Sequence, residues 1–184
     1  MEAIDILTKE HDLIREFLEN LALTVNQLEV GENPPREFFE KGRVFAGAFA
    51  DKYHHYKEEY VMFAHLAEKR EGEIDEQIDS LRYQHERARN YWVEILSSLD
   101  GYERGGQIPT TKLLENTASY VSLLRRHIHR EDHVFYPMAE ELLSDQEHRM
   151  LLDEFAKVNE KYGGEMFERS RQLVREMGQM LEEE

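Results

Sequence analysis

The chain has 184 residues, 40% hydrophobic and 34% charged, with four prolines and ten glycines, a balance that suits one helical domain better than a sheet protein. Lys plus Arg number 23 against 39 Asp plus Glu, giving a formal charge of -16. That charge repels phosphate backbones and no basic stripe offsets it, so nucleic acid is not an expected partner. Cysteine is absent, which excludes disulfides, thiolate zinc sites and iron–sulfur clusters.

Taken in chain order, apolar periodicity predicts a first helix from Ala3 to Val30, stopped by Gly31 and the Pro34-Pro35 pair. A second helix covers Arg36 to Arg70 and ends near Gly72. A third spans Ile74 to Tyr102, closed by the Gly101, Gly105, Gly106 cluster. A fourth begins after Pro109 and runs to about Leu143, bent near Pro137, which lacks a backbone donor. Ser144-Asp145-Gln146-Glu147 is a Ser-x-x-Glu capping box that opens a further helix. It breaks at Gly163-Gly164, before a last helix from Phe167 to Leu181.

No stretch alternates with a period of two for long enough to argue for a sheet. Short connections make consecutive helices antiparallel neighbours. The expectation is an all-α protein: an up-down antiparallel four-helix bundle over 1–143, with a C-terminal helical extension over 144–184 packed against it. Met1-Glu2-Ala3-Ile4-Asp5 lacks the basic and apolar regions of a signal peptide. Apolar stretches such as Val44 to Ala50 fall far short of the ~20 residues that span a bilayer. A cytoplasmic protein that avoids membranes, monomeric or homodimeric, is expected.

The histidines carry the chemistry. His54-His55-Tyr56-Lys57-Glu58-Glu59 and His127-Ile128-His129-Arg130-Glu131 each place a carboxylate four residues after an imidazole, on one helix face. His11 and His85 stand singly on the helices before them. His11 shares its face with Ile4, Leu7, Ile14, Leu18, Ala22 and Val25. His85 shares its face with Ile78, Leu81, Ala88, Trp92, Leu96 and Leu99. His127 and Glu131 lie with Leu113, Tyr120, Leu123, Leu124, Val134 and Met138. These are the apolar stripes of their helices. His129 and His133 instead share a face with Ser122, Arg126 and Glu140, and should meet water.

In the second helix the wheel is ambiguous. His54 and Glu58 lie with Gly47, Ala50 and Val61, while His55 and Glu59 lie with Val44, Ala48, Met62 and Leu66. The second register fits slightly better, and periodicity alone does not choose. A single His in an apolar stripe is ordinarily a core residue with one hydrogen bond. One such His on each of four helices, two with a carboxylate at i+4, points instead to a metal cage. A carboxylate such as Glu131 in an apolar stripe needs a cation, because burying it unpaired costs several kcal/mol.

The chain resembles the hemerythrin-like, or HHE cation-binding, family. The resemblance rests on Glu10-His11, on His54-His55-Tyr56-Lys57-Glu58-Glu59 followed by Met62-Phe63, on His85-Glu86, and on His127-Ile128-His129-Arg130-Glu131 followed by Phe135-Tyr136-Pro137. It implies the ligand set His11, His54, Glu58, His85, His127 and Glu131, choosing the first register in the second helix. It also implies two iron ions bridged by the carboxylates and by an oxo or hydroxo oxygen, although imidazole and carboxylate also admit zinc or manganese. The implied function is binding, sensing or reaction with a small oxidant (dioxygen, peroxide or nitric oxide). The alternatives are reversible oxygen binding, iron storage or sensing, and a di-iron oxidase, the last weakened because no His has a Glu three residues before it. One departure stands out. Oxygen-carrying members have a fifth His one turn beyond the third-helix ligand, where this chain has Arg89. On that count each iron keeps an open position, which favours a peroxide- or nitric-oxide-consuming site over oxygen carriage.

Overall fold

The computed structural model describes residues 3–69 and 72–182, without the side chain of Glu73. The described residues form six helices, and no strand occurs among them. Helix α1 is Ala3–Glu29, α2 runs over 36–67, α3 is Gly72–Glu103, α4 runs over 107–142, α5 is Asp145–Lys161 and α6 is Met166–Glu182. The chain is all-α. The expected end of the second helix at Arg70 lies outside the described residues. Among the described residues no helix is long and apolar enough to cross a membrane.

The first four helices form the bundle, with α3 and α4 in the most extensive contact and α1 against α4. Helix α4 starts at Gln107, earlier than Pro109 suggested, because a proline in the first turn lacks only an N–H that would have had no partner there. Gly105 closes the preceding turn at φ 75°, a left-handed conformation that costs glycine nothing. Helix α5 opens on the expected capping box, in which the Ser144 hydroxyl accepts from the Glu147 N–H and the Glu147 carboxylate accepts from the Ser144 N–H. The α5–α6 pair lies on α1 and α2. Phe155 of α5 and Val174 and Met177 of α6 are buried there, and Asn20 Nδ2 donates to the Val174 carbonyl at 2.8 Å.

Two helices of the bundle are not α-helical throughout. In α2 the segments Ala46–His55 and Lys57–Met62 are π-helical, and in α4 so is Glu131–Phe135. Their wide turns are closed by bonds to the carbonyl five residues back: Tyr56 N–H to Asp51, Phe63 N–H to Glu58 and Tyr136 N–H to Glu131. The last wide turn runs up to Pro137, which cannot supply an α-helical donor.

The core is split in two. One apolar cluster gathers Phe17, Phe45, Phe49, Trp92, Ile95, Tyr120 and Leu124. The other gathers Leu7, Phe63, Leu81, Phe135, Ala139 and Phe155. On every bundle helix the polar stretch between these two runs carries the histidines and carboxylates: position 11 in α1, 54–58 in α2, 85 in α3 and 127–131 in α4. A belt of ionisable groups thus crosses the middle of the bundle.

Candidate metal centre

Two overlapping sets of donors occupy that belt. His11, His54, Glu58 and Glu131 form one, and His55, Glu58, His85 and His127 form the other. Within each set the candidate ligand atoms lie within 4.8 Å of one another, and every residue is buried. Glu58 belongs to both. Glu131 reaches both as well: its Oε2 is 3.2 Å from His11 Nε2, and its Oε1 is 3.1 Å from His127 Nε2 and 3.8 Å from His85 Nε2. Glu58 Oε2 lies 3.8 Å from His54 Nε2 and 3.5 Å from His85 Nε2. The two carboxylates therefore stand between two clusters of imidazole nitrogen, as bridging ligands do.

A second ring of side chains orients the first. His11 Nδ1 bonds Asp132 Oδ1 at 2.7 Å, and Asp132 is gripped in turn by Arg15. His54 Nδ1 bonds Glu10 Oε2 at 2.9 Å, and the other oxygen of Glu10 takes the ammonium of buried Lys57. His85 Nδ1 bonds Glu59 Oε1 at 2.6 Å, and His127 Nδ1 bonds Gln84 Oε1 at 2.9 Å. Tyr136 donates to Glu58 Oε1 at 2.6 Å, with its hydroxyl 3.3 Å from His11 Nε2. Each of these four imidazoles satisfies Nδ1 and turns Nε2 inward, the usual arrangement for a metal-binding His.

Several of the inward atoms are left without hydrogen bonds. His54 Nε2, Glu58 Oε2 and both oxygens of Glu131 are buried and make no hydrogen bond. Unpaired buried carboxylate oxygen is costly, and a cation between these atoms removes that cost. The electrostatics agree. Burial, together with the facing Glu131, pushes the Glu58 carboxyl well above its ordinary range, whereas His127, His11 and His85 hold Glu131 well below it in spite of its burial. Burial keeps His54 and His127 low, and burial with the neighbouring His85 takes His55 to about 3, so these rings are neutral and hold free lone pairs. Burial also lifts Glu10 to about 7, against the pull of Lys57, and lowers Lys57, against the pull of Glu10. The donors fit a pair of divalent or trivalent cations.

All six residues singled out by the resemblance meet in this belt. The expectation that only one register of α2 points inward is corrected. His54 and His55 are both buried, and the His55 ring stacks on that of His85 with centroids 3.7 Å apart and planes 13° from parallel. A π-helical stretch turns through a smaller angle per residue, so consecutive residues diverge less and both can face the bundle axis. Glu59 accepts from His85 without joining either donor set. The same effect corrects α4: Val134 is exposed, and its neighbours Phe135 and Tyr136 fill the core instead. His129 and His133 lie outside, stacked on each other.

Arg89 donates to Asp51, Glu59 and Glu86 and is not a donor to the site. A fifth imidazole is present after all, supplied by His55 from α2. With Glu131 counted in both, the His55 set has five protein donors and the His11 set four.

A helical bundle with paired His and carboxylate clusters across its waist defines a cation-binding protein. The Hemerythrin HHE cation binding domain matches residues 2–139, and the chain belongs to that family. Uncharacterized proteins of Mycobacterium tuberculosis and Mycobacterium bovis are each 23% identical to it over 159 residues. That alignment covers 86% of this chain and 62% of theirs, so the chain spans less than two thirds of these relatives. No solved structure matches the chain.

Proposed function

We propose that this chain is a non-haem di-iron protein that binds, senses or reacts with a small oxidant such as dioxygen, peroxide or nitric oxide. The observation that carries this reading is Glu131, whose two buried oxygens make no hydrogen bond and lie one beside each imidazole cluster. His11 and His54 would hold one ion, His55, His85 and His127 the other, with Glu58 and Glu131 shared. Imidazole with carboxylate suits iron among the common metals, and bound iron supplies the redox chemistry. The protein's part is to fix each ring through its Nδ1 partner, to hold Glu58 through Tyr136, and to keep bulk water out with the apolar clusters on either side. Metal analysis after growth with iron, or after anaerobic reconstitution, should give two iron atoms per chain. A ratio near zero overturns the reading.

His55 also favours a second reading, reversible oxygen binding, because it restores the five-imidazole, unequal donor count of oxygen-carrying members of the family. Mixing the reduced protein with air-saturated buffer and then degassing separates the two. A band that leaves on degassing and returns with air marks a carrier, and irreversible oxidation with peroxide consumption marks a reactive site.

A further inference from the structure

A cavity of about 180 Å³ opens beside the belt on the α2–α3 side. Ala50, His55, His85, Ala88, Arg89 and Trp92 are among the residues that line it, so small side chains leave the space and two imidazoles end it. Since one water takes up ~30 Å³ of the liquid, the cavity holds a few small molecules and is well below the several hundred Å³ of organic-ligand pockets. Arg43 lies at this opening, folded across Gly47 where any β-carbon would collide with it.

His55 is the imidazole at this edge that is least anchored. The other four each have Nδ1 hydrogen-bonded, at 2.7, 2.9, 2.6 and 2.9 Å. His55 Nδ1 is buried without a hydrogen bond. Its nearest carboxylate, Asp51, is 3.8 Å away and is engaged by Arg89 at 2.8 Å. On the opposite side of the site the Tyr136 hydroxyl already stands against His11 Nε2.

We propose that this cavity is the route by which a small oxidant reaches the site, and that His55 is the donor it displaces. This rests on the di-iron reading. The exchange is a substitution: the incoming molecule donates a lone pair, the His55 nitrogen leaves with its own, and no electron is transferred. A cavity of this size admits dioxygen, peroxide, nitric oxide or azide.

The test uses azide as the probe on full-length protein reconstituted with iron, followed by its visible charge-transfer band. Ala88→Leu fills the cavity from α3 and Ala50→Leu fills it from α2, so one variant serves where the other does not fold. Each should keep its iron and melting temperature and slow azide association at least tenfold. His55→Ala should also keep its iron and accelerate azide association at least tenfold, because no donor has to leave first, whereas His54→Ala loses iron. A folded, iron-loaded cavity variant with the original azide rate overturns the route. Iron loss in His55→Ala equal to that in His54→Ala, or an unchanged azide rate in it, overturns the displacement. In either case the di-iron reading stands. Protein that takes up no iron removes that reading, and the displacement with it, whereas xenon density in the cavity of crystals of the same protein still tests the route.

Discussion

A buried imidazole serves a cation well only when its second nitrogen is held, and most of the chain's investment in the site lies in that second ring. Its members left uneven traces in the sequence. Periodicity puts His11, His85, His127 and Glu131 inside, and the family resemblance chooses His54 and Glu58. Glu10, Gln84, Glu59 and Asp132 are ordinary charged or amide residues in sequence, and only the packing of helices distant in the chain shows what they hold. Lys57 is equally silent in sequence, since only the structure shows it buried, with Glu10 as the partner that offsets the cost of burying a lysine. Asp132→Asn keeps the shape of the side chain and weakens its grip on His11. Loss of such a partner typically lowers metal affinity by roughly 10–100-fold, and competition with a chelator should read a change of that order. His129→Ala and His133→Ala, on the solvent face, should leave iron content unchanged, and loss of iron in either would mean that α4 is oriented differently.

At the scale of the element, helix number, order and most boundaries follow from 3.6-residue periodicity and from Gly, Pro and capping signals. The sites of failure are the π-helical stretches. A wheel drawn at 100° per residue must choose between His54 and His55, and carries the inward stripe of α4 to Val134 in place of Phe135. Nothing local in the sequence marks a wide turn except Pro137 just beyond one of them, so the wheel could turn His55 slightly inward but could not show that His54 and His55 face inward together. The same helices show where close packing overrides propensity. Gly42 sits inside α2, where alanine would ordinarily gain about 0.5–1 kcal/mol in helix stability. A β-carbon there would meet Trp92 Cη2 at 2.7 Å, in a core where overpacking costs about 1–3 kcal/mol. Gly42→Ala is therefore expected to lower the urea-unfolding free energy by about 1–2 kcal/mol, and a gain in stability would show that Trp92 moves freely. Ser144→Ala removes the α5 cap and should cost about 1 kcal/mol in the same assay.

At the scale of the molecule, a belt of buried ionisable groups between two apolar clusters makes folding and metal binding one equilibrium. A cation that binds only the folded chain stabilises it by about 3 kcal/mol once its concentration is a hundred times Kd, so chelation should lower the melting temperature. The metal-free protein should also show a pH dependence that the loaded protein lacks. Burial alone would lower the pKa of His11, but its contacts with Asp132 and Glu131 raise it from 6.5 to about 9, and contacts with Glu131 and Glu59 likewise raise His85. Between these limits His11 and His85 keep protons in the folded chain that they lose in the unfolded one, so their share of stability falls as pH rises. His54, His55 and His127, held neutral by burial, act in the opposite sense only near and below 6.5. The contribution of His11 is fully present below 6.5 and gone above about 9, and Glu10, raised by burial to about 7, acts in the same sense up to that point. Lys57, lowered by burial, works in the opposite direction at the alkaline end. Once a cation occupies His11 Nε2 there is no proton there to lose. The melting temperature of metal-free protein should therefore decline from pH 6.5 to 9 while that of the iron-loaded protein stays level, as scanning calorimetry of both forms would record. Parallel curves for the two forms would mean that the histidine belt does not hold the metal.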